Sequence, residues 1–138
     1  MSATLELVPM LAVCDGSAAL AFYKSAFEAV VVSRIVDDNG AIAHAEIRAG
    51  SVRFMLSDES PEHGALAPTT LGGSPVLLLM LVENVEAALT RAVDAGAVVD
   101  RPVQDGIVRN AKIRDPFGHR WMLAEEAKPK GSGEAPTP

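Results

Sequence analysis

Cysteine is almost absent: Cys14 is the only one in 138 residues. A lone thiol excludes an internal disulfide and a thiolate metal cluster. Basic charge is also short, with Lys+Arg 12 against Asp+Glu 18, net charge −6 and a pI near 5.0. That balance, with aromatics at only 4%, gives no basic, aromatic-interleaved surface for nucleic acid and no reason to expect membrane binding. No apolar run reaches the length of a membrane span. Met1-Ser2-Ala3-Thr4 shows no basic region followed by an apolar one, so no signal peptide is read. A glycine-rich phosphate loop, a nucleophile elbow and His-Glu-x-x-His are missing too. What is present is ordinary for a globular chain: 49% hydrophobic and 22% charged residues, enough for one domain or two half-domains sharing a core. The expectation is a soluble, cytoplasmic protein.

The most informative stretch is Arg114-Asp115-Pro116-Phe117-Gly118-His119-Arg120-Trp121. Pro116 disfavours helix at Asp115, and Gly118 tolerates the positive φ that closes many turns. Apolar residues on both sides read as a β-hairpin. An earlier stretch repeats the pattern. A shift of 67 positions places Met122 on Met55, Trp121 on Phe54 and Arg120 on Arg53. Upstream the shift becomes 69, placing Ala87-Ala88-Leu89 on Ala18-Ala19-Leu20 and Val82 on Val13. The chain is a diverged tandem repeat.

Each copy reads strand-helix-strand-strand-strand. In the first, strands are expected over 5–13, 30–36, 43–48 and 51–57, with Ala49-Gly50 closing the last hairpin. Pro9 points to an edge position for the first strand. Asp15 or Ser17 caps a helix whose apolar face is Ala18, Ala19, Phe22, Tyr23 and Phe27. Residues 58–75 read as a linker without apolar period. The second copy follows with strands over 76–82, 98–103, 107–113 and 119–124 and a helix over 85–95. Residues 127–138 have a composition that cannot bury enough apolar surface to fold, so a disordered tail is expected. The organisation is thus a first module over 1–57, a linker over 58–75 and a second module over 76–126.

The repeat, the segments Ala21-Phe22-Tyr23-Lys24-Ser25-Ala26-Phe27, Ala43-His44-Ala45-Glu46-Ile47-Arg48 and Arg91-Ala92-Val93-Asp94-Ala95-Gly96-Ala97, and the turn Asp115-Pro116-Phe117-Gly118-His119 with Trp121 resemble the vicinal oxygen chelate superfamily. That superfamily holds glyoxalase I, bleomycin-resistance proteins and extradiol dioxygenases, and the nearest branch looks PhnB-like. The resemblance implies an α+β fold: two βαβββ modules whose eight strands form an incomplete barrel around a cavity, with helices outside. It also implies homodimers, and in the enzymes a divalent metal held by the first and last strands of each module. Carried onto this chain, the four ligand positions are Val8, Met55, Leu77 and Met122. None offers imidazole, carboxylate or carbonyl oxygen, so no metal and no cofactor is expected.

Strand parity selects the rest of the cavity face. A two-residue Ala49-Gly50 loop pairs Glu46 with Arg53 and His44 with Met55, and opposed residues share a face. His44, Glu46, Arg53 and Met55 then point into the cavity, with Arg120 and Met122 as repeat counterparts; Ile113 is expected opposite Arg120. Apolar walls with few polar groups describe a small-molecule site. These six are the candidate ligand-binding residues, and His44 and Glu46 the candidate catalytic ones. The bland alternatives stand beside them. Glu46 and Arg53 form only a cross-strand ion pair; His44 is a hydrogen-bonded barrel histidine; Arg120 extends to solvent. Trp121 is core, His119 caps the turn from outside, His63 is exposed, and Cys14 packs at a strand–helix joint. The leading function is a metal-free binder of a small organic molecule, of resistance or carrier type. The alternative is a lyase, isomerase or hydrolase using Glu46 or His44 as general base.

Overall fold

The computed structural model describes residues 3–125; the expected tail and the end of the second module lie outside the described residues. The first copy contains β1 (Met10–Val13), α1 (Gly16–Ala26), β2 (Val30–Val36), β3 (Ile42–Ala49) and β4 (Val52–Asp58). The sheet order is β1-β4-β3-β2, with β1 parallel to β4 and the other pairs antiparallel. Strand β1 is shorter than expected because regular pairing begins only after Pro9, which has no N–H to give. Asp15 caps α1, its side chain accepting from the Ala18 N–H. Gly16 is buried where a Cβ would sit 2.7 Å from Ile42 Cγ1, so no larger residue fits there.

The hairpin turn is Gly50-Ser51, not Ala49-Gly50. Gly50 takes φ 60 at the first turn position, a place where glycine is strongly favoured. Each partner therefore moves by two residues: Glu46 lies opposite Met55 and Arg48 opposite Arg53. A shift of two keeps every side chain on its face. Strand parity puts Ala45, Ile47, Val52, Phe54 and Leu56 on the helix-facing side; all are buried except Val52, which is 44% exposed near the hairpin turn.

The linker is more structured than its composition suggests. It holds a 3-10 turn (Pro61–His63) and a short helix, α2 (Pro68–Leu71), each with proline in its first turn. Four residues are too few for a hydrophobic period to register. Ala67 and Pro68 are buried, and a Cβ on Gly118 would meet Pro68 Cβ at 2.7 Å. The linker thus packs on the Asp-Pro-Phe-Gly turn, where Gly118 has φ 90.

The second copy contains β5 (Leu77–Val82), α3 (Val85–Ala95), β6 (Val98–Gln104), β7 (Asn110–Arg114) and β8 (Arg120–Glu125), ordered β5-β8-β7-β6. Asn84 caps α3 as Asp15 caps α1. The acids ending β4 and β8 play matching parts: Asp58 accepts from the N–H groups of Gly16 and Ile42, and Glu125 from that of Val85.

The two sheets share no strand pairing among the described residues, so the barrel is open. Helices α1 and α3 pack against each other and share one core with both sheets. Its centre is aromatic: Tyr23 meets Phe54 of the first sheet edge-to-face at 5.1 Å and Trp121 of the second at 5.9 Å. Asp115, only 3% exposed, ties this centre together. One carboxylate oxygen accepts from the Phe117 and His119 N–H groups, the other from the Tyr23 hydroxyl at 2.5 Å and Trp121 Nε1 at 2.9 Å.

Candidate functional site

One face of each sheet is covered by helices; the other is open. On the first sheet the open face carries His44, Glu46 and Arg48 of β3, Arg53 and Met55 of β4, and Met10 of β1. Its charges are already matched. Arg53 donates to both Glu6 carboxylate oxygens, the closest contact being 2.7 Å, and lies 3.6 Å from Glu46. Arg48 donates to Glu46 at 3.2 Å. The Arg53 hydrogen bond holds the Glu6 carboxyl below its ordinary range, and Glu6 in turn raises the guanidinium of Arg53. Glu6 is not among the expected residues, because 5–13 reads as one strand and not as an irregular segment able to fold back on β4.

The second sheet differs. Arg120 and Met122 lie on its open face beside Leu77, Leu79 and Leu81. The residue opposite Arg120 is Arg114, not Ile113, and Lys112 is opposite Met122. The turn from Asp115 to His119 is five residues long, closed by Asp115 N–H donating to His119 C=O. A two-residue loop copied from the first hairpin is thus wrong by an odd step, and an odd step flips faces. Ile113 is buried, while Lys112 and Arg114 join Arg120 on the open face. Arg101 of β6, opposite Lys112, joins them.

Two smaller expectations are corrected. His119 does not cap the turn from outside; its Nε2 lies 2.8 Å from the Ala12 C=O, tying the second module to β1. Cys14 is exposed, not packed. Arg109 holds Glu86 and Asp105 at the surface. Trp121 is buried and His63 exposed, as read from the sequence.

His44 lines a cleft of about 370 Å³ with Met10, Ala12, Ser57, Leu66 and His119, between the first sheet and the linker. Glu46, Arg53, Met55, Arg120 and Met122 do not line that cleft. A second cleft, of about 310 Å³, is lined by Leu7, Pro9 and Leu11 of the first module and Val76, Leu78 and His119 of the second. The open faces of the two sheets are not wholly polar. They carry large exposed apolar side chains: Met10 is 71% exposed, Leu79 61% and Leu81 56%.

The four positions that the resemblance would make metal ligands, Val8, Met55, Leu77 and Met122, do not suit one. Met55 neighbours Met10 on β1, and Met122 neighbours Leu79 on β5. Two thioethers and aliphatic carbon cannot replace the oxygen and imidazole donors that zinc, manganese or iron require. Among the described residues no three His, Cys, Asp or Glu side chains gather to hold a metal ion. No helix is long and apolar enough to cross a membrane among those residues.

Two βαβββ repeats, an open barrel and helices on one side define the architecture. The family model for the Glyoxalase/Bleomycin resistance protein/Dioxygenase superfamily matches residues 7–123, and the chain belongs to that superfamily. An uncharacterized protein of Mycobacterium bovis is 36% identical over 127 residues, covering 88% of this chain and 84% of its own. The X-ray structure of an Arabidopsis thaliana gene product superposes with a TM-score of 0.70 at 29% identity, over 89% of this chain and 100% of that one. A PhnB protein from Bacillus cereus shares the fold, with a TM-score of 0.64 at 18% identity, over 88% of this chain and 100% of that one.

Proposed function

We propose that this chain binds a small organic molecule without a metal, acting in the cytoplasm as a homodimer of resistance or carrier type. The observation that carries the reading is the donor set Val8, Met55, Leu77 and Met122: the fold's usual ligand positions hold apolar or thioether groups. Such a lining suits the apolar body of a ligand. Arg120 supports an anionic contact, whereas Arg53 is already held by Glu6 and Glu46. A second copy laid over the exposed Met10, Leu79 and Leu81 would turn an open trough into a cavity, since apolar patches of this kind mark interaction surfaces.

The catalytic alternative rests on His44, which lines a cleft with His119 and Ser57; Glu46 is the weaker base candidate because two arginines hold it. The test joins metal analysis of the purified protein to a melting-shift screen of neutral and anionic aromatic compounds. Any hit is then titrated into the Arg120→Ala and Arg53→Ala variants. The expectation is no stoichiometric metal, and a larger loss of affinity for Arg120→Ala. A stoichiometric zinc, nickel, manganese or iron whose removal abolishes binding overturns the reading, as does an Arg120→Ala protein that binds an anionic hit unchanged.

A further inference from the structure

The repeat supplies an internal control for the charge on the open faces. Match the sheets through Met55 and Met122, and four positions correspond. On the first sheet they hold Arg53, Arg48, Glu46 and Ser33; on the second, Arg120, Arg114, Lys112 and Arg101. Formal charge at these four places is +1 on the first sheet and +4 on the second. The same offset that aligns β1 with β5 puts Pro75 where the first copy has Glu6, so the second sheet loses both neutralising acids. Among the described residues no carboxylate lies within 4.0 Å of Arg120, Lys112 or Arg101, and the ion pair of this quartet is Arg114 with Asp100 at 3.5 Å. Arg101 donates to Asn110 Oδ1 and to the Pro102 carbonyl, which leave its charge unmatched. Four of the chain's 12 basic residues thus share one side of one sheet in a protein of net charge −6. Beside them run Leu77, Leu79 and Leu81.

We propose that this second-sheet face recognises small molecules carrying a dianionic group, a phosphate monoester or a dicarboxylate, on an apolar body. The inference rests on the binding reading above and specifies its ligand class. A monoanion leaves most of the quartet uncompensated; a dianion engages two or more cations at once, and arginine forks suit phosphate and carboxylate oxygens. The leucine strip takes the apolar part.

Four compounds of similar size make the test: phenyl phosphate, phthalate, benzoate and benzyl alcohol, titrated into the full chain by calorimetry at low and moderate salt. Phenyl phosphate and phthalate should bind at least about tenfold more tightly than benzoate, with an affinity that falls as salt rises. Lys112→Glu, which installs the first sheet's residue, should weaken both dianions by about tenfold or more and leave benzyl alcohol unchanged. The salt dependence of the unmodified protein keeps the proposal open to refutation should a variant misfold. Binding of benzyl alcohol or benzoate as tight as that of the dianions overturns the ligand class and leaves the small-molecule reading standing. Binding of none of the four overturns the ligand class, and the small-molecule reading then stands or falls on the wider melting-shift screen. Dianion affinity indifferent to Lys112→Glu places recognition elsewhere and overturns the face assigned.

Discussion

Tyr23→Phe isolates a buried hydrogen bond between the two modules. Tyr23 is fully buried, and its hydroxyl donates to the Asp115 carboxylate, which also receives Trp121 Nε1 and two backbone N–H groups. Phenylalanine keeps the ring and its contacts with Phe54 and Trp121, so no large cavity opens. What is lost is one bond to a charged acceptor, about 1.5–3 kcal/mol. The pH dependence has a definite sign. Burial first, then the charge of Asp115 and the hydrogen bond to it, raise the Tyr23 hydroxyl well above its ordinary value. Below about pH 10 tyrosine is protonated in both folded and unfolded chains, and its contribution is fully present. Above that pH the unfolded chain loses the proton first, so stability falls as pH rises. Phenylalanine has no such proton, and the gap between the two proteins should close with alkalinity. Urea unfolding followed by the fluorescence of Trp121, the only tryptophan, at neutral pH and at about pH 10.5, measures both effects. A gap below about 0.5 kcal/mol at neutral pH, or one that widens with pH, refutes this account.

Further outcomes follow from single contacts. Asp115→Asn turns an amide N–H₂ toward groups that all donate, and should cost about 3–5 kcal/mol in the same urea assay. Gly16→Ala forces a Cβ to 2.7 Å from Ile42 and 2.8 Å from Asp58 Oδ2, and should lower the unfolding midpoint by the equivalent of about 1–3 kcal/mol. Static light scattering should return a dimer mass, and Leu79→Glu on the exposed apolar strip should shift it toward monomer; a monomer mass for the unmodified protein contradicts the assembly.

Much of the fold was legible because the repeat doubles the signal. Two copies of a weak pattern fixed the element order, the buried set of β3 and β4 apart from Val52, and the helix over 85–95, whose observed bounds are Val85–Ala95. Loop length was the weak point, and its two errors had unequal effects. Moving the first turn to Gly50-Ser51 shifted partners by an even step, so His44, Glu46, Arg53 and Met55 kept a common face. The five-residue turn after Arg114 shifted them by an odd step, which hid Lys112 and Arg114 from the sequence reading. Periodicity alone carries no information on loop closure. The Asp115 network was illegible for another reason: Tyr23 and Asp115 are 92 positions apart, and nothing local announces their meeting.

The internal comparison bears one more test, because scaffold and face have diverged differently. Each copy keeps a helix cap, Asp15 or Asn84, and an acid closing its last strand onto that helix, Asp58 or Glu125. The fold needs those contacts in both modules. It does not need a cation at Lys112, since Glu46 stands at the matching place and the first sheet forms equally well. Both sheets oppose two arginines directly, Arg48 with Arg53 and Arg114 with Arg120. Like charges so placed are destabilising. In the first sheet Glu46 contacts both arginines and Glu6 adds to them. In the second, Lys112 adds to the repulsion, so its basic face should come at a cost to the unliganded protein. Lys112→Glu should therefore raise ligand-free stability by about 0.2–1 kcal/mol while it weakens dianion binding. Opposite signs from one substitution distinguish a face shaped for a ligand from one shaped by the sheet. A Lys112→Glu protein that is no more stable than the parent in ligand-free urea unfolding, at low salt where such repulsion is strongest, shows that the second sheet carries no uncompensated charge.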